Sequence, residues 1–122
     1  MKKLIFTALL LSQIANAETV SRIIDGDTIK VLEQSNSIRL YCIDTPESKM
    51  VGKQRAQIIN GINVGVLATE HLQSLININD SIQLKCFGVD QYGRSICEIF
   101  KNDISINKKM VSDGYAFIPT KY

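Results

Sequence analysis

Three short segments of the sequence concentrate charge in a way that suits phosphate chemistry. They are Asp25-Gly26-Asp27-Thr28, the run from Arg39 to Glu47 (R-L-Y-C-I-D-T-P-E), and Asp90-Gln91-Tyr92-Gly93-Arg94. Asp27 and Asp44 each follow a strand-like run, so folding can bring the two carboxylates together. Close carboxylates repel unless a cation lies between them, and a hard cation such as Ca²⁺ takes oxygen ligands of this kind. Arg39 sits in the largely apolar run Ile38 to Ile43, where a charge needs a partner. A guanidinium matches phosphate through two parallel hydrogen bonds, and Arg94 would complete a clamp. Glu47, just beyond the second carboxylate, suits a general base for water.

Each piece has a plainer reading. Asp-Gly turns are common, so Asp25 and Gly26 read as structural. Asp27 alone suits a turn or cap, and Arg39 alone a salt bridge. Thr45-Pro46-Glu47 could open a helix with Pro at its first position. Asp90 to Arg94 could be a solvated hairpin end. Taken singly, the plainer reading wins for every one of them.

The elements that must position these residues are legible from periodicity. Val20 to Ile24 and Thr28 to Leu32 are β-branched runs joined by a hairpin-type Asp25-Gly26 turn. Ser37 to Ile43 reads as a third strand ending at Asp44-Thr45-Pro46. Met50 to Asn63 has no clean period and reads as a loop, with some helix allowed. Val66 to Leu75 carries Leu67, Ala68, Leu72 and Leu75 at helical spacing. After the Asn79-Asp80 turn, Ser81 to Phe87 alternates as a half-buried strand. Arg94 to Phe100 is a fifth strand, followed by a turn at Asn102-Asp103. Ile106 to Asp113 reads as a short helix with Gly114 as its stop. Three strands, a helix, two strands and a helix suggest an OB-like five-stranded barrel, though other small β-rich folds share that order.

The 122 residues fit one domain. Lys2 and Lys3, the apolar run Leu4 to Leu11 and the small-x-small end Ala15-Asn16-Ala17 form a secretory signal peptide, residues 1–17, cut before Glu18. The run is too short to span a membrane as a helix. Without Lys2 and Lys3, 12 basic side chains face 12 acidic ones, so the domain of residues 18–122 has a formal charge of zero. Affinity for nucleic acid must then be local. His71 is the only histidine and no C-x-x-C occurs, which argues against zinc and excludes any mechanism that needs two histidines.

Export places Cys42, Cys86 and Cys97 in a disulfide-permissive compartment. Setting Cys86 opposite Cys97 pairs Phe87 with Ile96 and Gly88 with Ser95. That register turns Ile82, Leu84, Cys86, Cys97 and Ile99 to one face, so a Cys86–Cys97 disulfide is expected. Cys42, in phase with Ile38 and Leu40, is expected to be a buried free thiol.

Taken together and in order, the three charged segments resemble the staphylococcal nuclease-like (thermonuclease) family. Its signature is similar to I-D-G-D-T, R-L-x-x-I-D-T-P-E and D-x-Y-G-R, all intact here. Weaker echoes are Gly65 to Ala68, Ile106-Asn107 and Val111 to Ala116. The resemblance covers most of Val20 to Tyr122. It implies an α+β protein, an OB-fold five-stranded Greek-key barrel with two or three helices. It also implies a Ca²⁺-dependent phosphodiesterase that cleaves DNA and RNA to 3′-phosphate products. By the same resemblance, Asp27 and Asp44 match the Ca²⁺ carboxylates, and Thr45 matches a ligand through its backbone carbonyl. Glu47 matches the proposed general base, Arg39 and Arg94 the phosphate clamp, and Tyr92 a tyrosine near the nucleotide. The expected product is an exported monomer, periplasmic or secreted, free of the membrane after signal cleavage.

The sequence departs from the family in three places. The stretch between Glu47 and Gly65 is longer, Gln91 stands where a basic residue is common, and the family continues into a further helix beyond the point matching Tyr122. That closing helix is therefore expected to be missing, leaving residues 18–122 marginally stable and responsive to ligand. Two other readings compete: a non-catalytic OB-fold nucleic-acid-binding module of the cell envelope, and a small structural protein of that compartment.

Overall fold

The computed structural model describes residues 17–46 and 58–119. Nearly all of the signal segment, as well as Glu47 and the 47–57 stretch, lies outside the described residues. The described elements are β1 (Ala17–Asp25), β2 (Thr28–Val31), β3 (Ile38–Leu40), β4 (Ile58–Ile59), β5 (Ile62–Asn63), α1 (Val64–Leu75), β6 (Ser81–Val89), β7 (Ser95–Lys101), β8 (Ile104–Ser105) and α2 (Ile106–Ser112).

Five of these strands close a ring. β1 pairs antiparallel with β2 on one side and β6 on the other, β2 with β3, and β6 with β7. A parallel pairing of β3 with β7 shuts the barrel. With α1 between the third and fourth barrel strands, this is the OB-fold. β1 serves two neighbours, and its register shifts between Val20 and Arg22 and again between Ile23 and Asp25. Such irregularities bend a strand enough to close a small barrel.

The barrel is filled by alternate residues: Val20, Ile29, Val31, Ile38, Leu40, Ile82, Cys97 and Ile99. α1 adds Leu72 to this core, with Ile76 just past its end, and α2 adds Ile106 and Met110. Each such side chain contributes about 1.5–3 kcal/mol when fully buried. Asn63 caps α1 by accepting from the Val66 N–H, and Ser105 caps α2 by accepting from Lys108. Gly114, at φ 85°, ends α2, and the Tyr115 N–H returns to the Met110 carbonyl. His71 on α1 lies 2.7 Å from Asp113 after α2 and stacks on Tyr115, tying the two helices together.

The structure corrects four local expectations. The third strand stops at Leu40 because Cys42 takes φ 62°, which turns the chain and leaves Cys42 only half-buried. Ile58 to Asn63 is a hairpin rather than a loop, turned by Asn60 and Gly61, both at positive φ. A short β8 follows the Asn102-Asp103 turn and pairs with β7. Cys86 does lie opposite Cys97, their sulfurs joined at 1.99 Å, but a bulge at Phe87 then places Gly88 opposite Ile96 and Val89 opposite Ser95. Residues 85–89 are all exposed, so Cys86 does not share the buried face of Cys97. There the β6–β7 ribbon leaves the barrel, and among the described residues no second layer covers it.

Candidate active site

Ile38 and Leu40 fill the core, so Arg39 between them must leave β3 on the outer face. One of its nitrogens, Nη2, reaches Asp27 Oδ2 at 3.3 Å and Asp44 Oδ1 at 3.4 Å. Nη1 donates to the Leu40 carbonyl at 3.0 Å. One arginine thus bridges the two carboxylates singled out from sequence.

Asp27 is only 6% exposed, so its charge must be matched in full. Besides Arg39, its Oδ1 accepts from the Thr28 hydroxyl at 3.0 Å. Its Oδ2 accepts from the Thr45 N–H at 3.3 Å and the Thr45 hydroxyl at 3.1 Å. Burial, and next the charge of Asp27, push the Asp44 carboxyl above the usual carboxylate range, against the pull of Arg39 and the Thr45 N–H. Two carboxylates held this close favour a shared cation.

These donors fit Ca²⁺. Asp27 and Asp44 offer carboxylate oxygens and Thr45 a backbone carbonyl, all hard ligands. Among the described residues no group of three metal-binding side chains gathers. Water or substrate oxygens would complete the shell, as is usual for such ions.

The second guanidinium is set by the loop between β6 and β7. Asp90 Oδ1 accepts from the Tyr92 and Arg94 N–H groups, both at 2.9 Å, and Oδ2 accepts from Arg94 Nε at 2.7 Å. Burial works to raise the Asp90 carboxyl, but these bonds and the Arg94 charge outweigh it and hold it below the ordinary range. Gly93, at φ 81°, makes the turn possible. Tyr92 is 75% exposed, and the Arg94 guanidinium carbon lies 5.3 Å from its ring centre. Arg39 is the parallel partner of Ile96. Arg94 immediately precedes β7, two residues before Ile96.

Asp27, Asp44 and Arg94 thus lie in loops that flank barrel strands, and Arg39 on the outer face of β3. Asp27, Asp44, Thr45 and Arg39 form one hydrogen-bonded cluster, and Asp90, Tyr92 and Arg94 form a second around the β6–β7 loop. Glu47 lies outside the described residues.

Three supporting contacts escape a reading of the sequence. Asp44 is held by its backbone: its N–H donates to the Phe117 carbonyl at 2.8 Å, and the Phe117 N–H donates to its carbonyl at 2.9 Å. No local pattern marks Phe117 for this. Asn107, 3% exposed, donates from Nδ2 to the Tyr41 and Cys97 carbonyls, and its Oδ1 accepts from the Ile99 N–H. It ties α2 to the turn after β3. Its signal was an amide in the buried phase of a helix, between Ile106 and Met110.

The third contact is Gly26, where an added Cβ would meet Ala68 Cβ at 2.9 Å and Thr45 Oγ1 at 3.0 Å. Gly26→Ala is therefore expected to cost about 1–3 kcal/mol by overpacking and to push Thr45 off Asp27. Gly88→Ala, with nothing within 4 Å of the new methyl, should stay within about 0.5 kcal/mol. Urea titration of both variants checks this; equal midpoints would show that the hairpin tolerates a side chain at Gly26.

Comparison with known proteins bears on the family. Residues 37–122 match the family described as staphylococcal nuclease homologue. An uncharacterized endonuclease of Escherichia coli O157:H7 is 30% identical over 106 residues, covering 84% of this chain and 61% of the relative. An uncharacterized endonuclease of Haemophilus influenzae is 27% identical over 132 residues, covering 99% of this chain and 67% of the relative. An uncharacterized lipoprotein of Mycoplasma genitalium is 31% identical over 102 residues, covering 75% and 40%. The chain thus spans about three-fifths of the length of the Escherichia coli relative. On an OB-fold barrel, with the match extending from β3 to the last residue, the chain belongs to the staphylococcal nuclease homologue family.

Proposed function

We propose that this chain is a nuclease that hydrolyses phosphodiester bonds of DNA and RNA with Ca²⁺ and leaves 3′-phosphate products. The observation that carries the proposal is Arg39 bridging Asp27 and Asp44 on the outer face of the barrel. Relatives from Escherichia coli and Haemophilus influenzae bear the name endonuclease, which supports the same reading.

In this proposal Asp27, Asp44 and the Thr45 carbonyl hold Ca²⁺. When bound, the ion supplies Lewis-acid charge to a phosphate oxygen. Arg39 turns a nitrogen from the carboxylates to the phosphate. Arg94, gripped at Nε by Asp90, offers its two terminal nitrogens. Together they offset the charge that builds as phosphorus becomes five-coordinate. Glu47 takes a proton from the attacking water as the water oxygen bonds to phosphorus, and the bond from phosphorus to the 5′-oxygen breaks, that oxygen leaving as a hydroxyl with a proton from solvent. Tyr92 stands at the edge of this site as a surface for the nucleotide.

We further propose that residues 1–17 direct export and that residues 18–122 act as a monomer in the periplasm or outside the cell. Among the described residues no helix is long and apolar enough to cross a membrane.

The test is cleavage of single-stranded DNA and RNA by the purified chain, with Ca²⁺ and with EDTA, followed by analysis of the product ends. Ca²⁺-dependent loss of substrate with 3′-phosphate ends is expected. Binding without cleavage would point instead to a non-catalytic OB-fold module.

A further inference from the structure

The face that carries Arg39 continues past the phosphate site onto the β6–β7 ribbon. The bulge that breaks the register lies here: Cys86 faces Cys97 and Gly88 faces Ile96, leaving Phe87 as the extra residue. Bulges re-aim side chains, often beside active sites. Phe87 is 50% exposed, a large apolar ring left open to solvent. It is nonetheless fixed, because its ring lies 4.3 Å from that of Tyr41, tilted by 32°. Lys85 Nζ lies 5.7 Å from the same ring. Tyr41 is itself tied down, since its N–H donates to Cys97 and its carbonyl accepts from Asn107. The disulfide joins the residue just before Phe87 to Cys97.

Position gives this ring a meaning. Ile96 is the neighbour of Gly88 on one side and of Arg39 on the other. Gly88 thus stands two strands from Arg39, about 10 Å across the sheet, Phe87 is its chain neighbour, and Tyr41 is two residues along the chain from Arg39. A strand whose scissile phosphate lay on the arginines would carry a neighbouring nucleotide over this spot. Glu98 also belongs to this face, but one of its carboxylate oxygens accepts from the Ser105 hydroxyl at 2.6 Å.

We propose that Phe87, braced by Tyr41, is a stacking platform for an unpaired base one or two nucleotides from the scissile phosphate, with Lys85 free to swing to a flanking phosphate. A braced aromatic beside cations is how single strands are held without sequence preference, because every base has a flat face. The ligand class is single-stranded nucleic acid, since a base paired in a duplex could not reach the ring. This inference rests on the nuclease reading of the adjoining site and extends it to the form of the substrate.

The test uses dye-labelled oligothymidylate at low salt in EDTA, read by anisotropy, with cleavage in Ca²⁺ measured in parallel. Phe87→Ala should weaken binding by about 10-fold, within the range for loss of one stacked base. The sequence contains no tryptophan, so Phe87→Trp gives a single reporter whose fluorescence should be quenched as the oligonucleotide binds. Equal binding by Phe87→Ala, or an unquenched Phe87→Trp, overturns the platform even if the wild type cleaves normally. Binding with quenching but no cleavage supports the platform and overturns catalysis. If the wild type binds no oligonucleotide, both readings fall.

Discussion

Arg39→Ala should reduce kcat by roughly 10²–10³, the scale for removing one donor from a charged transition state. The effect should fall mainly on the chemical step, because Arg94 remains to hold the phosphate. A second consequence separates Arg39 from a pure substrate contact. In the resting protein it bridges Asp27 and Asp44. Without it, the nearly buried Asp27 faces Asp44 with no cation, so the variant should also lose stability and should recover more of it on adding Ca²⁺ than the wild type does. Arg39→Lys should rescue part of the stability and little of the rate, because one ammonium cannot reproduce the planar fork. Glu47→Gln should lower turnover severely while leaving Ca²⁺ and nucleotide binding largely intact. Single-turnover kinetics and thermal melts with and without Ca²⁺ read out all of these. An Arg39→Ala enzyme within a few-fold of wild-type kcat would remove the arginine from the mechanism.

Removing the Cys86–Cys97 link should lower stability by about 2–3 kcal/mol, the entropy of closing so short a loop in the unfolded chain. For a domain near 100 residues that corresponds to a fall in Tm of roughly 10–20 °C. The double variant Cys86→Ala, Cys97→Ala and the wild type in strong reductant should melt together. Cys86 is exposed and Cys97 buried, so reductant reaches the bond from the Cys86 side without unfolding the barrel. Cys42→Ala serves as the control and should melt with the oxidised protein. Coincident melting of oxidised and reduced wild type would show that the link adds nothing.

Much of this architecture was legible because it rests on short-range chemistry. Val20, Ile29 and Ile38 announce strands through branching and alternation. Gly114 ends the second helix through its positive φ. The charged residues were legible for another reason: Asp27, Arg39, Asp44 and Arg94 are costly to place near a core without a partner, so their presence beside apolar runs asks for one. The turn at Cys42 was not legible. Its side-chain phase matches a continuing strand, whereas the backbone there is left-handed, just after Tyr41 bonds to Cys97 and Asn107. The bulge at Phe87 was missed for a similar reason. An unbroken register satisfies alternation equally well, and the ring's partner, Tyr41, lies 46 positions earlier in the chain.

Asp44 is fixed through its backbone by Phe117, and the carbonyl of Tyr41 by Asn107. Contacts so distant along the chain form only once most of it is in place. The carboxylate pair consequently exists as a pair only in the completed fold. A nascent or threaded chain carries every chemical group of the site and none of its geometry. In the proposed nuclease, latency before folding would be a property of the topology itself. Recovery of cleavage during refolding should accordingly follow the slowest global phase and never precede it.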